Sequence, residues 1–273
     1  MSSRERSIGD VTSTDNDVRE ATRLLARQSR PLIDKDRHFV LGWSPKSACT
    51  TLYLWFASVG GFLPEVLAHH SFPHRHRNEV LLKSQRYREA LRAYRPDFRF
   101  IKVIRDPYMR TVSIFRHAIA FGFANADLHA RFGPSVDSQC GVSFQQFLDL
   151  LANLDMAAAN PHYRPQLHPF EQHRRADKII NISRSNLLTE LAALEKTYGW
   201  PATDFANSEW FKKIENTRSE TVGQEGEPLD RALLSHASHR RAFPSYAQLL
   251  TPEARRKIEY IYARDFEAYA PYL

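Results

Sequence analysis

Residues 42–55 read GWSPKSACTTLYLW, and the order of residue types in this stretch decides the fold. A short apolar run, HFVLG (His38–Gly42), precedes it, and an apolar run with helical character, Thr50–Val59, follows and stops at Gly60-Gly61. A strand that turns through a short polar loop into a helix is a phosphate-binding arrangement, because the helix start offers unpaired N–H groups and a positive dipole end. Lys46 adds a mobile charge, and Ser47, Thr50 and Thr51 add hydroxyls. A triphosphate loop of the G-x-x-x-x-G-K-[ST] kind needs glycines so that the backbone can wrap the phosphates, and none occurs between Trp43 and Thr51. Ala48 and Cys49 stand where extra room would be needed. The loop should hug a smaller anion, one phosphate bearing one further group.

The rest of the chain repeats the strand-then-helix pattern. FRFIKVI (Phe98–Ile104) is rich in aromatic and β-branched residues and reads as a second strand. Arg105 sits at its end, Pro107 suits the first turn of the next helix, and Ser113 lies within that helix. KIINI (Lys178–Ile182) is a third strand, followed by a helical apolar face at Leu187, Leu188, Leu191 and Leu194 that Gly199 ends. Ser143 and Gln146 predict a capping box at the start of a helix over Val142–Leu154. Thr251 and Pro252 open the last helix, with Ile258, Ile261, Tyr262 and Phe266 as its stripe. Phe121–Gln139 reads as irregular and suited to line a cleft. The pattern predicts an α/β fold with a central, mostly parallel sheet flanked by helices, and ligands at the carboxyl edge of its strands. Residues 31–273 form a single domain after a flexible polar tail, 1–30, carrying at most a short helix around Val18–Gln28.

Composition sets the bounds. The chain has 273 residues, 42% hydrophobic and 25% charged, enough for a core without staples. Two cysteines, Cys49 and Cys140, exclude a disulfide framework and point to a reducing, cytoplasmic setting. The first 17 residues lack an apolar leader, and no run approaches the about 20 apolar residues of a membrane span. The net charge of +7 suits an anionic partner.

Two motifs carry a family resemblance. PKSACTTL (Pro45–Leu52) resembles the 5′-phosphosulfate loop of sulfotransferases that use 3′-phosphoadenosine-5′-phosphosulfate (PAPS). IRDPYMRTVSIFRH (Ile104–His117) resembles their 3′-phosphate motif, with Arg105 and Ser113 at the matching places. HYRPQ (His162–Gln166), the segment from Asp177 to Gly199 and the C-terminal LLTPEARRKIEYIYARDFEAY resemble the branch that acts on carbohydrates. Ser183 and Arg184 replace the acidic residue usual after the third strand, and the cysteines common near H-x-x-P-Q in animal Golgi members are absent, as is their membrane anchor. The resemblance therefore implies a soluble, bacterial-type relative.

It implies in-line transfer of a sulfuryl group from PAPS to a hydroxyl of a carbohydrate or glycolipid, releasing 3′-phosphoadenosine-5′-phosphate (PAP), with no metal and no nucleic-acid partner. The implied donor site is Pro45, Lys46, Ser47, Ala48, Cys49, Thr50, Thr51, Arg105 and Ser113, with Arg218 of ENTRSE (Glu215–Glu220) from a late loop. Lys46 would meet charge on the leaving phosphate. The base falls in AHHSFPHRHR (Ala68–Arg77), where His70 and His69 rank above His74 and His76. His162 is a candidate for acceptor positioning by resemblance, and His117, on the same helix as Ser113, packs or touches phosphate. A small-molecule kinase and a non-enzymatic polyanion binder compete with this reading. The first needs a longer loop and a magnesium-binding partner, the second a steep salt dependence.

Overall fold

A computed structural model of the chain describes residues 8–27, 30–204, 207, 226–237 and 243–273. A four-stranded sheet lies at its centre, in the order β1 (Leu32–Asp34), β2 (Phe39–Gly42), β3 (Arg99–Ile104), β4 (Lys178–Asn181). β2, β3 and β4 run parallel, with Gly42 beside Lys102 and Ile104 beside Asn181. These are the three strands expected. β1 is an antiparallel edge strand that the sequence did not announce, at three residues too short to show a period. Asp34 makes the turn back to β2 by accepting the N–H groups of Asp36 and Arg37 at 2.9 and 2.8 Å.

Alternation along the strands sets the two faces. Phe39, Leu41, Ile101, Val103 and Ile180 pack with α2 (Cys49–Val59), α3 (Leu63–His69) and α9 (Leu187–Tyr198). The Trp55 indole of α2 donates to buried Glu195 of α9 at 2.7 Å and ties that layer together. Val40 and Phe100 face the other way, against Tyr94, Phe98 and Phe170 and against α1 (Ile8–Leu25). Ala21, Leu24 and Leu25 of α1 are buried there, an i, i+3, i+4 stripe. The tail expected to be loose to Arg30 is thus a docked helix along its second half.

Beyond the carboxyl edge, α6 (Pro107–Phe121), α7 (Asn125–Phe132), α8 (Phe144–Ala152), α10 (Tyr246–Leu249) and α11 (Pro252–Ile261) enclose a second apolar cluster. The capping box of Ser143 and Gln146 forms at α8. Asp106 caps α6 through the N–H groups of Tyr108 and Met109, with Pro107 in the first turn. Thr251 caps α11, but the expected long last helix breaks at Tyr262 and resumes as α12 (Ala263–Tyr269). Ile258 and Tyr262 of its stripe are fully buried. The stretch expected to be irregular, 121–139, contains α7, whose Leu128 anchors it in the cluster. Between α3 and α5 (Gln85–Ala93), the chain passes through α4 (Pro73–Arg75) and a π-helical turn, His76–Val80. Such turns often mark functional positions.

Candidate active site

The loop between β2 and α2 solves its lack of glycine with strained residues. Lys46 and Ala48 both adopt left-handed backbone, at φ of 70° and 60°. Non-glycine residues hold that conformation at a cost of order 1–2 kcal/mol each, so the surroundings must impose it. Left-handed and right-handed residues in succession turn N–H groups inward to a concavity that suits an anion. α2 then starts without a side-chain cap.

Residues around the loop impose this shape. Arg110 of α6 donates from Nε to the Pro45 carbonyl at 3.1 Å and from Nη2 to the carbonyls of His162 and Arg164 at 3.1 and 2.8 Å. Arg105 donates to the Lys46 carbonyl at 3.2 Å and to the Tyr246 hydroxyl at 2.9 Å. Gln166 is the junction. Its Oε1 accepts from the Ser47 hydroxyl and the Arg105 N–H, both at 2.9 Å, and from the Ser44 hydroxyl at 3.3 Å, while its Nε2 donates to the Arg105 carbonyl at 2.8 Å. One buried amide thus fixes the ends of β2 and β3 to each other.

The junction is itself braced from behind. Buried Asp265 accepts the Gln166 and Leu167 N–H groups, and burial pushes its carboxyl up. Lys102, fully buried, donates to the Gln166 carbonyl and to Glu171, each at 2.6 Å. Gln166→Leu leaves one hydroxyl of the mutually bonded Ser44–Ser47 pair and the part-buried Arg105 N–H without acceptors, and each such orphan costs about 1–3 kcal/mol. A urea midpoint lowered by at least that much, with an unchanged slope, is the expected result.

The geometry sorts the residues expected from the sequence. Ser47 turns inward, its hydroxyl on Gln166 and its N–H on the Ser44 carbonyl at 3.1 Å, so it is a strut of the loop and not an open donor. Pro45, Ala48 and Thr51 are buried. Lys46, Cys49 and Thr50 are the half-exposed residues of the loop. Ser113 sits half-exposed on α6, on the helix that Arg105 precedes. Arg218 lies outside the described residues.

The histidines sort as clearly. His74, ranked below His70 and His69 from the sequence, is the one held on the loop: its Nε2 lies 3.0 Å from the Thr50 hydroxyl and 3.4 Å from the Cys49 sulfur. His70 ends α3 and accepts the Phe72 N–H at 2.9 Å. His69 faces Glu79 at 3.5 Å and packs edge-on against His76. His76 is buried against the Tyr53 hydroxyl at 2.6 Å. His162 stacks on Phe123, and His117 packs at a tilt against Phe121, Phe123 and His162, forming an aromatic shelf.

The field of the site is positive. Burial, together with Lys46, Arg110, His74 and Arg77, pushes His162 down to about 4. Burial pushes the Cys49 thiol up, yet His74, Arg77 and Lys46 outweigh it and bring it down to about 6. The sequence did not single out Arg77, Arg110 or the bridging role of Gln166; only the HYRPQ resemblance pointed to the last.

Among the described residues no group of acidic, histidine or cysteine side chains could hold a metal ion, and no helix is long and apolar enough to cross a membrane. Comparison with curated proteins finds no match. The model of the Sulfotransferase family, in contrast, matches residues 29–272, from just past α1 to the penultimate residue. The matched span holds the loop, Arg105, Gln166 and the helices that brace them, and the chain belongs to the Sulfotransferase family, whose reaction is sulfuryl transfer to an acceptor.

Proposed function

We propose that the protein transfers the sulfuryl group of PAPS to a hydroxyl of a carbohydrate or glycolipid, with His74 as base and Lys46 at the leaving group. The observation that carries this reading is the contact of His74 Nε2 with Thr50 at the mouth of the anion loop. A proton on Nε2 serves both the Thr50 oxygen and the Cys49 sulfur, which leaves the lone pair on Nδ1. That nitrogen is buried without a protein partner. An acceptor hydroxyl bound there gives up its proton to Nδ1 as its oxygen attacks sulfur. The bond from sulfur to the phosphate oxygen breaks, and the electron pair stays on the phosphate.

The loop N–H groups, Thr50 and Lys46 meet the growing phosphate charge, where fixed donors act most strongly. Arg105 and Ser113 take the 3′-phosphate. The aromatic shelf favours a sugar acceptor: Phe121 is 71% exposed, with the His117 ring tilted against it at 4.4 Å between centroids, a surface suited to the C–H side of a pyranose. A reducing cytoplasm suits the two free thiols, Cys49 and Cys140.

Calorimetry with PAP, ATP and heparin tests the reading. PAP should bind with a stoichiometry of one and at 100 times its Kd stabilise the fold by about 2.7 kcal/mol, a rise in Tm of about 5 °C or more. A shift with ATP and none with PAP would favour the kinase. Salt-steep heparin binding with no nucleotide site would favour the polyanion binder.

A further inference from the structure

Arg77 is out of place as a structural arginine. It lies three residues after His74 on one continuous helical stretch, so the two side chains share a face. Its guanidinium stacks on the Trp43 indole, with Cζ 4.2 Å from the ring centroid. Nε reaches the Asn78 side chain at 3.1 Å, but Nη1 is buried and has no partner. No carboxylate among the described residues forms an ion pair with it. The Nε1 of Trp43, itself 6% exposed, is orphaned as well. Two unsatisfied donors in stacking contact, one of them cationic, are rare in a finished fold, and a missing ion is a standard reason for them.

We propose that Arg77 and Trp43 form a subsite for a tetrahedral oxyanion beside the Lys46 loop, on the side where His74 stands. Arg77 offers a planar fork that grips two oxygens of such a group, and the indole N–H offers a third donor. Burial works against the charged form of Arg77, and the Cys49 sulfur and the Tyr53 hydroxyl favour it. His74, Arg77 and Lys46 in turn favour the thiolate of Cys49, which balances the charge of Arg77. An arriving oxyanion takes over that role, and the thiolate regains a proton from solvent. Two sources have the right chemistry: the sulfuryl group of the donor, and an acidic group on the acceptor.

Titration of the full chain with inorganic sulfate tests the subsite without any nucleotide, so its outcome is separate from whether PAP binds. Sulfate should bind the wild type, and Arg77→Gln should weaken it by about tenfold or more. Trp43→Phe keeps the stacked ring, removes the N–H and should weaken sulfate less; this variant carries the test should Arg77→Gln lose its fold. Alkylation of Cys49 by iodoacetamide, followed against pH in a Cys140→Ser background, gives a second readout. Its midpoint should lie near 6 in the wild type and rise both with sulfate and in Arg77→Gln. Titration in the presence of nucleotide separates the sources. Sulfate that binds with PAP and is displaced by PAPS marks the donor's own sulfuryl group; sulfate that binds with both marks an acidic acceptor. The proposal falls if sulfate does not bind the wild type, or if neither variant changes its affinity and Arg77→Gln leaves the Cys49 midpoint where it was.

Discussion

His74→Gln should lower turnover by about 10²–10⁴-fold while PAP affinity holds, the loss expected for a positioned general base. The argument is one of geometry. A base must present a lone pair to the acceptor, and the nitrogen that presents it must be fixed by what the other nitrogen bonds. His74 meets both conditions, with Nε2 committed to Thr50 and Cys49 and Nδ1 without a protein partner. His70 spends its Nδ1 on the Phe72 N–H, and His69 packs between Glu79 and His76. His70→Asn and His69→Asn should therefore leave turnover within about tenfold of wild type. His162 is the informative control. Its pKa near 4 keeps it neutral across the working range, so it cannot supply a limb of the rate profile near neutral pH. If His74→Gln retains more than a tenth of the turnover, the base lies elsewhere, and His162→Asn is the next variant to measure.

That reassignment shows where the sequence was legible. The strands and the capped helices were readable because each depends on neighbours in the chain. Phe98–Ile104 has its β-branched run, and Ser143 and Gln146 have their box. The loop was readable from its place between a strand and a helix. Which histidine faces it was not, because four of them fall within eight residues, spread over the end of α3, α4 and the π turn. Such short, broken helical pieces leave no periodic mark. The direction of Ser47 was equally hidden, since it depends on Gln166, 119 residues away. Lys102 is fully buried despite its charge. This is possible because Glu171 and the Gln166 carbonyl wait for it inside. β1 escaped because it is held by pairing with β2 and by little of its own.

Lys46→Ala and Arg105→Ala should part company in steady-state kinetics at saturating acceptor. Arg105 would grip a 3′-phosphate that is the same before and during transfer, so its contribution is equal in ground and transition states. Losing a charge-assisted hydrogen bond costs about 1.5–3 kcal/mol, which raises the donor KM by about 10- to 150-fold and leaves turnover little changed. Arg105 also holds the Lys46 carbonyl and the Tyr246 hydroxyl. A looser loop adds to the loss of affinity, so the KM effect should sit toward the upper end. Lys46 would meet charge that exists only as the phosphate leaves, and removing such a contact costs about 10²–10³-fold in turnover. Its half-exposed side chain leaves the loop from a left-handed residue, pinned at the carbonyl by Arg105. Lys46→Arg should rescue poorly, because a planar fork is too broad for a concavity that holds one phosphate. Should Lys46→Ala keep near-normal turnover once donor saturates, Lys46 only binds, and stabilisation of the leaving phosphate rests on the loop N–H groups and Thr50.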